Sequence, residues 1–295
     1  MPSSRADERA ATASQALRAS QWEPAIPEGT RRWACDALQR FPRGLLTDID
    51  GTLSPIAPTP DQARLYRGIR PLLRRCLDAF DVVAAISGRP ALDARRLIGL
   101  PQMTYVGNHG MELLAPRARI PAIAGEARAF EGAIADALHE ARARLSGHEG
   151  ELLFENKGVT ASIHYRLASD PQATRAAIRR ALDPLARRRR LRITEGRMVI
   201  EIRPRVDLDK GTSVRALVER HALACALYLG DDRTDEDAFR ALRQLRAEGV
   251  CLGIAVAVSH AEAPAALLAA ADITLASVAE VPRFLRWVLG VLQPA

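Results

Sequence analysis

The chain has 295 residues, 48% of them hydrophobic, which is enough to bury a full core, and we favour two domains over one. Its net charge is +7, but acids are interleaved with the arginines, and the basic run from Arg187 to Arg190 lacks the aromatic residues of a single-strand nucleic-acid binder. No segment reaches the roughly 18 apolar residues of a membrane span, and the four cysteines lack disulfide or metal-ligand spacing, so we expect a cytoplasmic protein that binds neither nucleic acid nor membrane.

The chain begins with a polar stretch that we treat as an N-terminal extension, residues 1–38. It leads into a predicted short helix at 33–41, and the role of the extension stays open. Apolar runs then alternate with helical patterns, which predicts a parallel sheet flanked by helices. The predicted elements are strand 45–50, helix 65–80, strand 82–88 and helix 91–97, and later helix 211–221, strand 226–230, helix 236–248, strand 251–258 and helix 282–292. Residues 39–111 and 204–295 would together form a doubly wound, Rossmann-like α/β core.

Between these two stretches, at residues 112–203, the pattern changes. Helical patterns cover 125–145 and 171–189, and two hairpins are predicted. These hairpins pair 152–157 with 159–167, turning at Gly158, and 191–194 with 198–203, turning around Gly196. The sequence therefore predicts an inserted α+β cap domain that acts as a lid.

Two acids, Asp48 and Asp50, end the first core strand in the segment Leu-Leu-Thr-Asp-Ile-Asp-Gly-Thr at residues 45–52. Ligands bind at the carboxyl ends of strands in open α/β sheets, and residues two apart on an extended chain point to the same side. Two carboxylates in one partly buried site require a cation or a shared proton, and an all-oxygen site favours Mg²⁺. A turn with two solvated acids is the alternative interpretation.

Three further segments end at the same predicted edge. Ser87 and the glycine after it follow the second strand and precede a helix, where a hydroxyl and backbone N–H groups suit an anion. Lys210 precedes another helix and is one of only two lysines among 42 basic residues, which favours a compact ammonium that neutralises phosphoryl oxygens. Asp231 is the first acid after the third apolar strand and a candidate third ligand, whereas Asp237 and Thr234 have capping-box spacing.

The succession of Asp-x-Asp-Gly-Thr, Ser, Lys and Gly-Asp-Asp at strand ends resembles the haloacid dehalogenase-like superfamily, over nearly the whole chain beyond the N-terminal extension. The resemblance implies that Asp48 is the nucleophile and Asp50 the general acid and base. It also implies that Asp48, Asp231 and the main-chain carbonyl of Asp50 hold Mg²⁺, while Ser87 and Lys210 position and neutralise the phosphoryl group. These roles agree with phosphoryl transfer, which depends mainly on positioning and charge neutralisation.

Within that superfamily the chain resembles the trehalose-6-phosphate phosphatase family. The matching segments are Asp-Gly-Thr-Leu-Ser-Pro-Ile (50–56), Gly-Asn-His-Gly-Met-Glu (107–112), Glu-Asn-Lys-Gly (155–158), His-Tyr-Arg (164–166), Met-Val-Ile-Glu-Ile-Arg-Pro (198–204) and Gly-Asp-Asp-Arg-Thr-Asp-Glu-Asp-Ala-Phe (230–239). The chain departs from the family pattern at Thr47, where we expect a large apolar or aromatic residue. The resemblance implies trehalose 6-phosphate as the substrate and trehalose-phosphate synthase as a candidate partner.

Polar side chains on the predicted cap strands are candidates for a sugar clamp. A disaccharide offers many hydroxyls and little apolar surface, so charged and amide groups suit its site. The solvated face of a half-covered antiparallel sheet is the alternative, and His109 alone would count as a core or turn histidine. With the family resemblance, the candidate substrate-binding residues are Gly88, Arg89, Asn108, His109, Glu112, Lys157, His164, Arg166 and Glu201.

Two other functions stay open at this point, and nucleic-acid binding, which salt-dependent retention of DNA would test, is a third. One is a phosphatase for another sugar phosphate, such as sucrose 6-phosphate or glucosylglycerol phosphate, because only the cap separates these substrates. The other is a catalytically idle module that binds a trehalose-synthesis protein through its basic surface. The presence of the full set of catalytic side chains argues against the idle module.

Overall fold

The structure is a computed structural model that describes residues 26–148, 150–196 and 198–293. Its strands are β1 (Arg43–Thr47), β2 (Val82–Ile86), β3 (Thr104–Gly107), β4 (Glu112–Leu114), β5 (Ala122–Ile123), β6 (Leu153–Asn156), β7 (Ala161–His164), β8 (Leu191–Gly196), β9 (Val199–Pro204), β10 (Cys225–Gly230), β11 (Leu252–Val258) and β12 (Ile273–Leu275). Its helices are α1 (Glu28–Leu38), α2 (Ile69–Ala79), α3 (Ala91–Ile98), α4 (Gly125–Arg128), α5 (Glu131–Arg144), α6 (Pro171–Arg189), α7 (Lys210–Arg220), α8 (Asp235–Ala247), α9 (Ala265–Ala270) and α10 (Val281–Val291). None of the helices in the described part is long and apolar enough to cross a membrane.

An eight-stranded sheet forms the centre of the core, in the order β12-β11-β10-β1-β2-β3-β4-β5. The strands from β12 to β3 pair in parallel, and β4 and β5 add an antiparallel edge. Strands β1, β2 and β10 are buried along their whole length because helices cover both faces of the sheet. Helices α1, α2, α3 and α10 pack on one face and α7, α8 and α9 on the other. This arrangement confirms the predicted doubly wound α/β core.

A second, four-stranded antiparallel sheet lies in the inserted segment, in the order β6-β7-β9-β8. Strands β6 and β7 form one of the predicted hairpins, and β8 and β9 form the other. Helices α5 and α6 cover one face of this sheet and share a hydrophobic core with it. The insertion is therefore α+β, as the sequence predicts.

The two sheets divide the chain slightly differently from the sequence-based boundaries. Strands β4 and β5 belong to the large sheet, although residues 112–203 were assigned to the cap. We therefore propose that the cap begins near Gly125, after β5 has completed the edge of the core.

Several elements differ from the predicted ones. Helix α1 begins at Glu28 and ends at Leu38, earlier than the predicted 33–41, with Pro27 preceding its first turn. The predicted helix 125–145 is two helices, α4 and α5, because the chain turns at Phe130, which packs against both the cap core and a small cluster around Met111. The sequence did not predict the short elements β3, β4, β5, β12 and α9. The predicted extension lies mostly outside the described residues.

The unusual Thr47 fits its buried place in β1. It is 1% exposed, and its hydroxyl donates to the main-chain carbonyl of Asp48 at 2.7 Å. Because this bond satisfies the hydroxyl, a polar residue is accommodated where an apolar one was expected.

Candidate active site

The carboxyl ends of three central strands meet the cap at a cavity of about 940 Å³. Asp48 follows β1, Ser87 follows β2 and Asp231 follows β10, while Lys210 is the first residue of α7. Parallel strands bring these residues together because their carboxyl ends lie at one edge of the sheet. The predicted site residues that line this cavity are Asp48, Asp50, Ser87, Gly88, Arg89, His109, Lys157, His164, Arg166, Glu201, Lys210 and Asp231.

Lys210 is buried among carboxylates. Its ammonium lies 3.0 Å from Oδ1 of Asp48 and 2.7 Å from Oδ1 of Asp235, and its side chain is 2% exposed. Burial lowers the pKa of Lys210, but Asp235 and Asp48 outweigh that effect and raise the pKa well above its ordinary value. Lys210 therefore stays charged and holds a fixed positive charge beside Asp48.

Asp235 accepts hydrogen bonds on both carboxylate oxygens. The hydroxyl of Tyr228 and the ammonium of Lys210 donate to Oδ1 at 2.6 and 2.7 Å. The backbone N–H groups of Asp231 and Asp232 each donate to Oδ2 at 3.0 Å. Asp235 thus fixes both the lysine and the loop that carries Asp231.

The acids at this edge suit a hard divalent cation. One carboxylate oxygen from each of Asp48, Asp231 and Asp235 lies within 4.8 Å of the others. Burial raises the pKa of Asp48 and of Asp231 well above their ordinary values, and repulsion from neighbouring acids adds to it. Asp235 already accepts four hydrogen bonds, which occupy its lone pairs. Asp48 and Asp231 are therefore the better candidates to bind an added cation.

The turn after β1 is built around Asp231. Gly51 has a φ of +91°, and a Cβ at this position would lie 1.8 Å from Oδ2 of Asp231. The hydroxyl of Thr52 donates to Oδ1 of Asp231 at 2.9 Å. The Gly-Thr pair of the first motif therefore allows the close approach of Asp231 and orients its carboxylate.

Asp50 is held by an arginine at the mouth of the cavity. Arg89 donates from Nε and Nη2 to the two oxygens of Asp50 at 2.6 and 2.7 Å, in a bidentate pair. The backbone N–H of Arg89 also donates to Oγ of Ser87 at 3.3 Å. Gly88 lies between them, and a Cβ there would be 2.6 Å from Nε2 of His109.

Charged residues of the cap and of the core also meet in the lining of this cavity. The ring Nε2 of His109 lies 3.0 Å from Oε2 of Glu201, and Lys157 lies 3.5 Å from Oε1 of the same glutamate. Lys157 also donates to the carbonyl of Gly88 at 3.3 Å. Burial raises the pKa of Glu201, but His109 and Lys157 outweigh burial and hold it well below its usual range.

A second acid completes this cap cluster. Glu155 lies 3.1 Å from Nε2 of His164 and 3.7 Å from Nζ of Lys157. Burial raises the pKa of Glu155, but His164 and then Lys157 lower it overall. The cap side of the cavity thus pairs its acids internally.

Two predicted substrate contacts, Asn108 and Glu112, lie outside the cavity lining. Glu112 accepts from the backbone N–H of Ala91 at 2.7 Å and from Nδ2 of Asn108 at 2.8 Å. Asn108 also accepts from Thr160 at 2.7 Å, and both residues are buried. They fix the first turn of α3 and the turn at 108–110, so the structure gives them a supporting position.

The predicted capping box at α8 is wrong. Thr234 donates from its backbone N–H and its hydroxyl to Oδ1 of Asp232, at 2.8 and 2.7 Å. No side chain caps α8, and Asp237 instead pairs with Arg240 at 2.8 Å. The hydrogen bonds of Thr234 therefore stabilise the acid-rich loop and do not cap α8.

Sequence reasoning did not assign roles to Thr52, Tyr228, Asp235 and His260. Thr52 and Asp235 lie inside motifs that were recognised, and only contacts between distant segments reveal what they hold. Tyr228 places a hydroxyl in a buried strand, where it needs a hydrogen-bond partner. His260 follows the carboxyl end of β11, where ligands bind in such sheets. The position of each residue could therefore have marked it as a candidate.

Comparison with known proteins agrees with this site. The family model of trehalose-phosphatase matches residues 46–272. A trehalose-phosphate phosphatase of Mycobacterium avium is 38% identical over 223 residues, covering 72% of this chain and 54% of that protein. A probable trehalose-phosphate phosphatase 3 of Oryza sativa is 34% identical over 263 residues, covering 81% of this chain and 67% of that protein. The chain thus spans about half to two thirds of the length of these relatives.

A solved structure shows the same fold. The C-terminal domain of Candida albicans trehalose-6-phosphate phosphatase superposes with a TM-score of 0.72 at 21% identity, covering 91% of this chain and 99% of that one. The motifs that carry the predicted family resemblance fall almost entirely within the matched residues 46–272. By its sequence match and its fold, the chain belongs to the trehalose-phosphatase family.

Proposed function

We propose that this chain hydrolyses trehalose 6-phosphate to trehalose and phosphate, as a step of trehalose biosynthesis. The observation that carries the proposal is the pairing of Asp48 with the buried ammonium of Lys210 at the cavity floor. This pairing holds a carboxylate beside a positive charge, which a phosphoryl-accepting nucleophile needs. The names of the relatives support the disaccharide phosphate as the substrate.

The reaction would take place in two displacements. An oxygen of Asp48 attacks phosphorus and the bond to the sugar oxygen breaks. Asp50, released from its pair with Arg89 and protonated, gives its proton to the departing alkoxide. Asp50 then takes a proton from water, whose oxygen attacks phosphorus and releases phosphate from Asp48. Lys210 and Ser87 would neutralise and orient the phosphoryl oxygens in both steps.

Mg²⁺ is the cofactor that the acidic cluster fits best. Asp48, Asp231 and the main-chain carbonyl of Asp50 would hold it, in keeping with the preference of Mg²⁺ for oxygen ligands. When bound, it supplies positive charge to the phosphoryl group. Activity should disappear in excess EDTA and return when Mg²⁺ is added back.

The cap would select the sugar and exclude water. His109, Lys157 and Glu201 line the same cavity as Asp48, and the second glucose ring of the substrate would extend towards them. The phosphoryl end is common to many sugar phosphates, so discrimination falls to these polar groups. A substrate that leaves buried polar groups unpaired loses about 1 to 3 kcal/mol for each.

Side-by-side kinetics test the proposal. With matched Mg²⁺, kcat/KM for trehalose 6-phosphate should exceed that for glucose 6-phosphate by about 10²-fold or more, since two or three cap contacts are lost. Sucrose 6-phosphate should also be a poor substrate. Comparable efficiencies on all three would reject the trehalose assignment, and no turnover on any would favour the idle binding module. A trehalose-phosphate synthase partner and a cytoplasmic location stay predictions.

A further inference from the structure

The loop after β11 brings His260 to the acidic edge of the core. Its ring Nε2 lies 3.2 Å from the main-chain carbonyl oxygen of Asp231 and 3.3 Å from Oδ2 of the same residue. The histidine also lines the cavity, and its side chain is 21% exposed. His260 therefore contacts the carboxylate of Asp231 from the side opposite β1.

The orientation of the imidazole is fixed by its own loop. The backbone N–H of Glu262 donates to Nδ1 of His260 at 3.1 Å. A ring nitrogen that accepts carries no hydrogen, so the hydrogen is on Nε2, which donates to the main-chain carbonyl of Asp231 at 3.2 Å. The N–H of Ala263 donates to the carbonyl of His260 at 3.0 Å, and that of Ser259 to Leu275 at 2.8 Å, which hold the loop against β12.

Asp231 is consequently held from two sides. Thr52 donates to Oδ1 at 2.9 Å, and Nε2 of His260 lies beside Oδ2. The carboxylate is 1% exposed, so it has little access to solvent that could replace these neighbours. A buried carboxylate oriented in this way keeps the direction of its remaining lone pairs constant.

We propose that His260 is a positioning residue: its hydrogen bond to the main-chain carbonyl of Asp231, with the ring beside Oδ2, holds Asp231 in place to receive a divalent cation. The inference rests on the metal site of the proposed function. Residues that orient metal ligands through hydrogen bonds commonly change metal affinity about 10- to 100-fold when they are removed. His260 would act on cation affinity through Asp231, without touching the phosphoryl group.

Calorimetric titration with Mg²⁺ alone tests this role. His260→Leu, which keeps bulk but lacks a donor, should bind Mg²⁺ about 10- to 100-fold more weakly than the wild type. His260→Gln should restore most of the affinity, because its terminal amide N–H reaches about as far as Nε2, whereas the shorter His260→Asn should not. His221→Leu, at an exposed position after α7, is the matched control and should bind like the wild type.

Activity gives an independent readout. In His260→Leu the Mg²⁺ concentration for half-maximal activity should rise by the same factor as the dissociation constant, while kcat at saturating Mg²⁺ stays close to wild type. Equal Mg²⁺ affinity in the wild type, His260→Leu and His260→Asn would overturn the inference, even if the melting temperatures of the variants fell. Failure of His260→Gln to recover affinity in a folded protein would also overturn it. If the wild type itself bound no Mg²⁺, the metal site of the proposed function would fall as well.

Discussion

The two sides of the cavity use charge differently. On the core side, the buried carboxylates of Asp48, Asp231 and Asp235 lie close together, and the ammonium of Lys210 contacts Asp48 and Asp235. On the cap side, Glu155 and Glu201 are paired with Lys157 and with two histidines. The core cluster therefore has three acids for one ammonium, whereas each acid of the cap cluster lies beside a lysine and a histidine.

This difference separates chemistry from recognition. A cluster with excess negative charge attracts a cation and, with it, a phosphoryl group. A cluster whose acids are already paired offers many donors and acceptors, and these can exchange partners with neutral hydroxyls. Under the proposed function, the cluster with excess acids lies where the phosphoryl group would bind, and the paired network lies where the sugar would bind.

The largest effect should follow from removing the nucleophile. Asp48→Asn is nearly isosteric but cannot attack phosphorus, so kcat should fall by at least about 10³-fold. In Mg²⁺-free buffer its melting temperature should equal or exceed that of the wild type, because burial and repulsion disfavour the ionised Asp48. Residual activity above about one per cent would place the nucleophile elsewhere, and a large loss of stability would contradict the excess of negative charge.

Exchanging the buried ammonium tests whether its shape matters. Lys210→Arg preserves charge, but a planar guanidinium does not fit between Asp48 and Asp235, so kcat should fall by about 10²-fold or more. Arg220→Lys, in the last turn of the same helix, is the surface control and should leave kcat unchanged. A near-normal rate for Lys210→Arg would mean that Lys210 contributes only a positive charge at the end of a helix.

A smaller and substrate-dependent effect is expected on the cap side. Lys157→Ala removes one donor from the cap cluster, which should cost about tenfold in kcat/KM for trehalose 6-phosphate. Hydrolysis of a small aryl phosphate, which does not reach the cap, should be almost unchanged. Steady-state kinetics on both substrates make the comparison, and equal losses would remove Lys157 from the sugar site.

The smallest catalytic effect should come from Glu112, which lies outside the cavity lining. In Glu112→Gln the new amide N–H would face the N–H of Asn108, so two donors would meet without an acceptor. The free energy of unfolding should therefore fall by about 1 to 3 kcal/mol. KM for trehalose 6-phosphate should stay at the wild-type value at a temperature where the variant is folded. Urea denaturation measures the first quantity and kinetics the second. A rise in KM without loss of stability would indicate that Glu112 contacts the substrate.

The core side of the cavity could be predicted because its acids directly follow apolar strands in the sequence. Asp48 and Asp231 follow apolar strands, and parallel strands end at a common edge, so the sequence alone brings these acids together. The cap side depends on contacts between segments far apart in the chain, such as that of His109 with Glu201. The hydrophobic periodicity of a segment does not predict which distant segment it will contact.

The segment at residues 107–112 shows where pattern reasoning stops. Asn108 and His109 both have positive φ, 48° and 56°, so neighbouring side chains leave the backbone in directions that neither a helix nor a strand would give. His109 reaches the cavity, whereas Asn108 and Glu112 turn inward to Thr160 and Ala91. Short edge strands such as β4 and β5 were missed for a related reason, since two or three residues carry no clear alternation.

The scarcity of lysine makes the chain unusually simple to probe with a lysine-specific protease. Its two cleavage points are Lys157, whose side chain is 7% exposed within the cap cluster, and Lys210, whose side chain is 2% exposed within the core. Limited digestion should therefore report two events separately. A cut at Lys157 records separation of the cap from the core, and a cut at Lys210 records unfolding of the core itself.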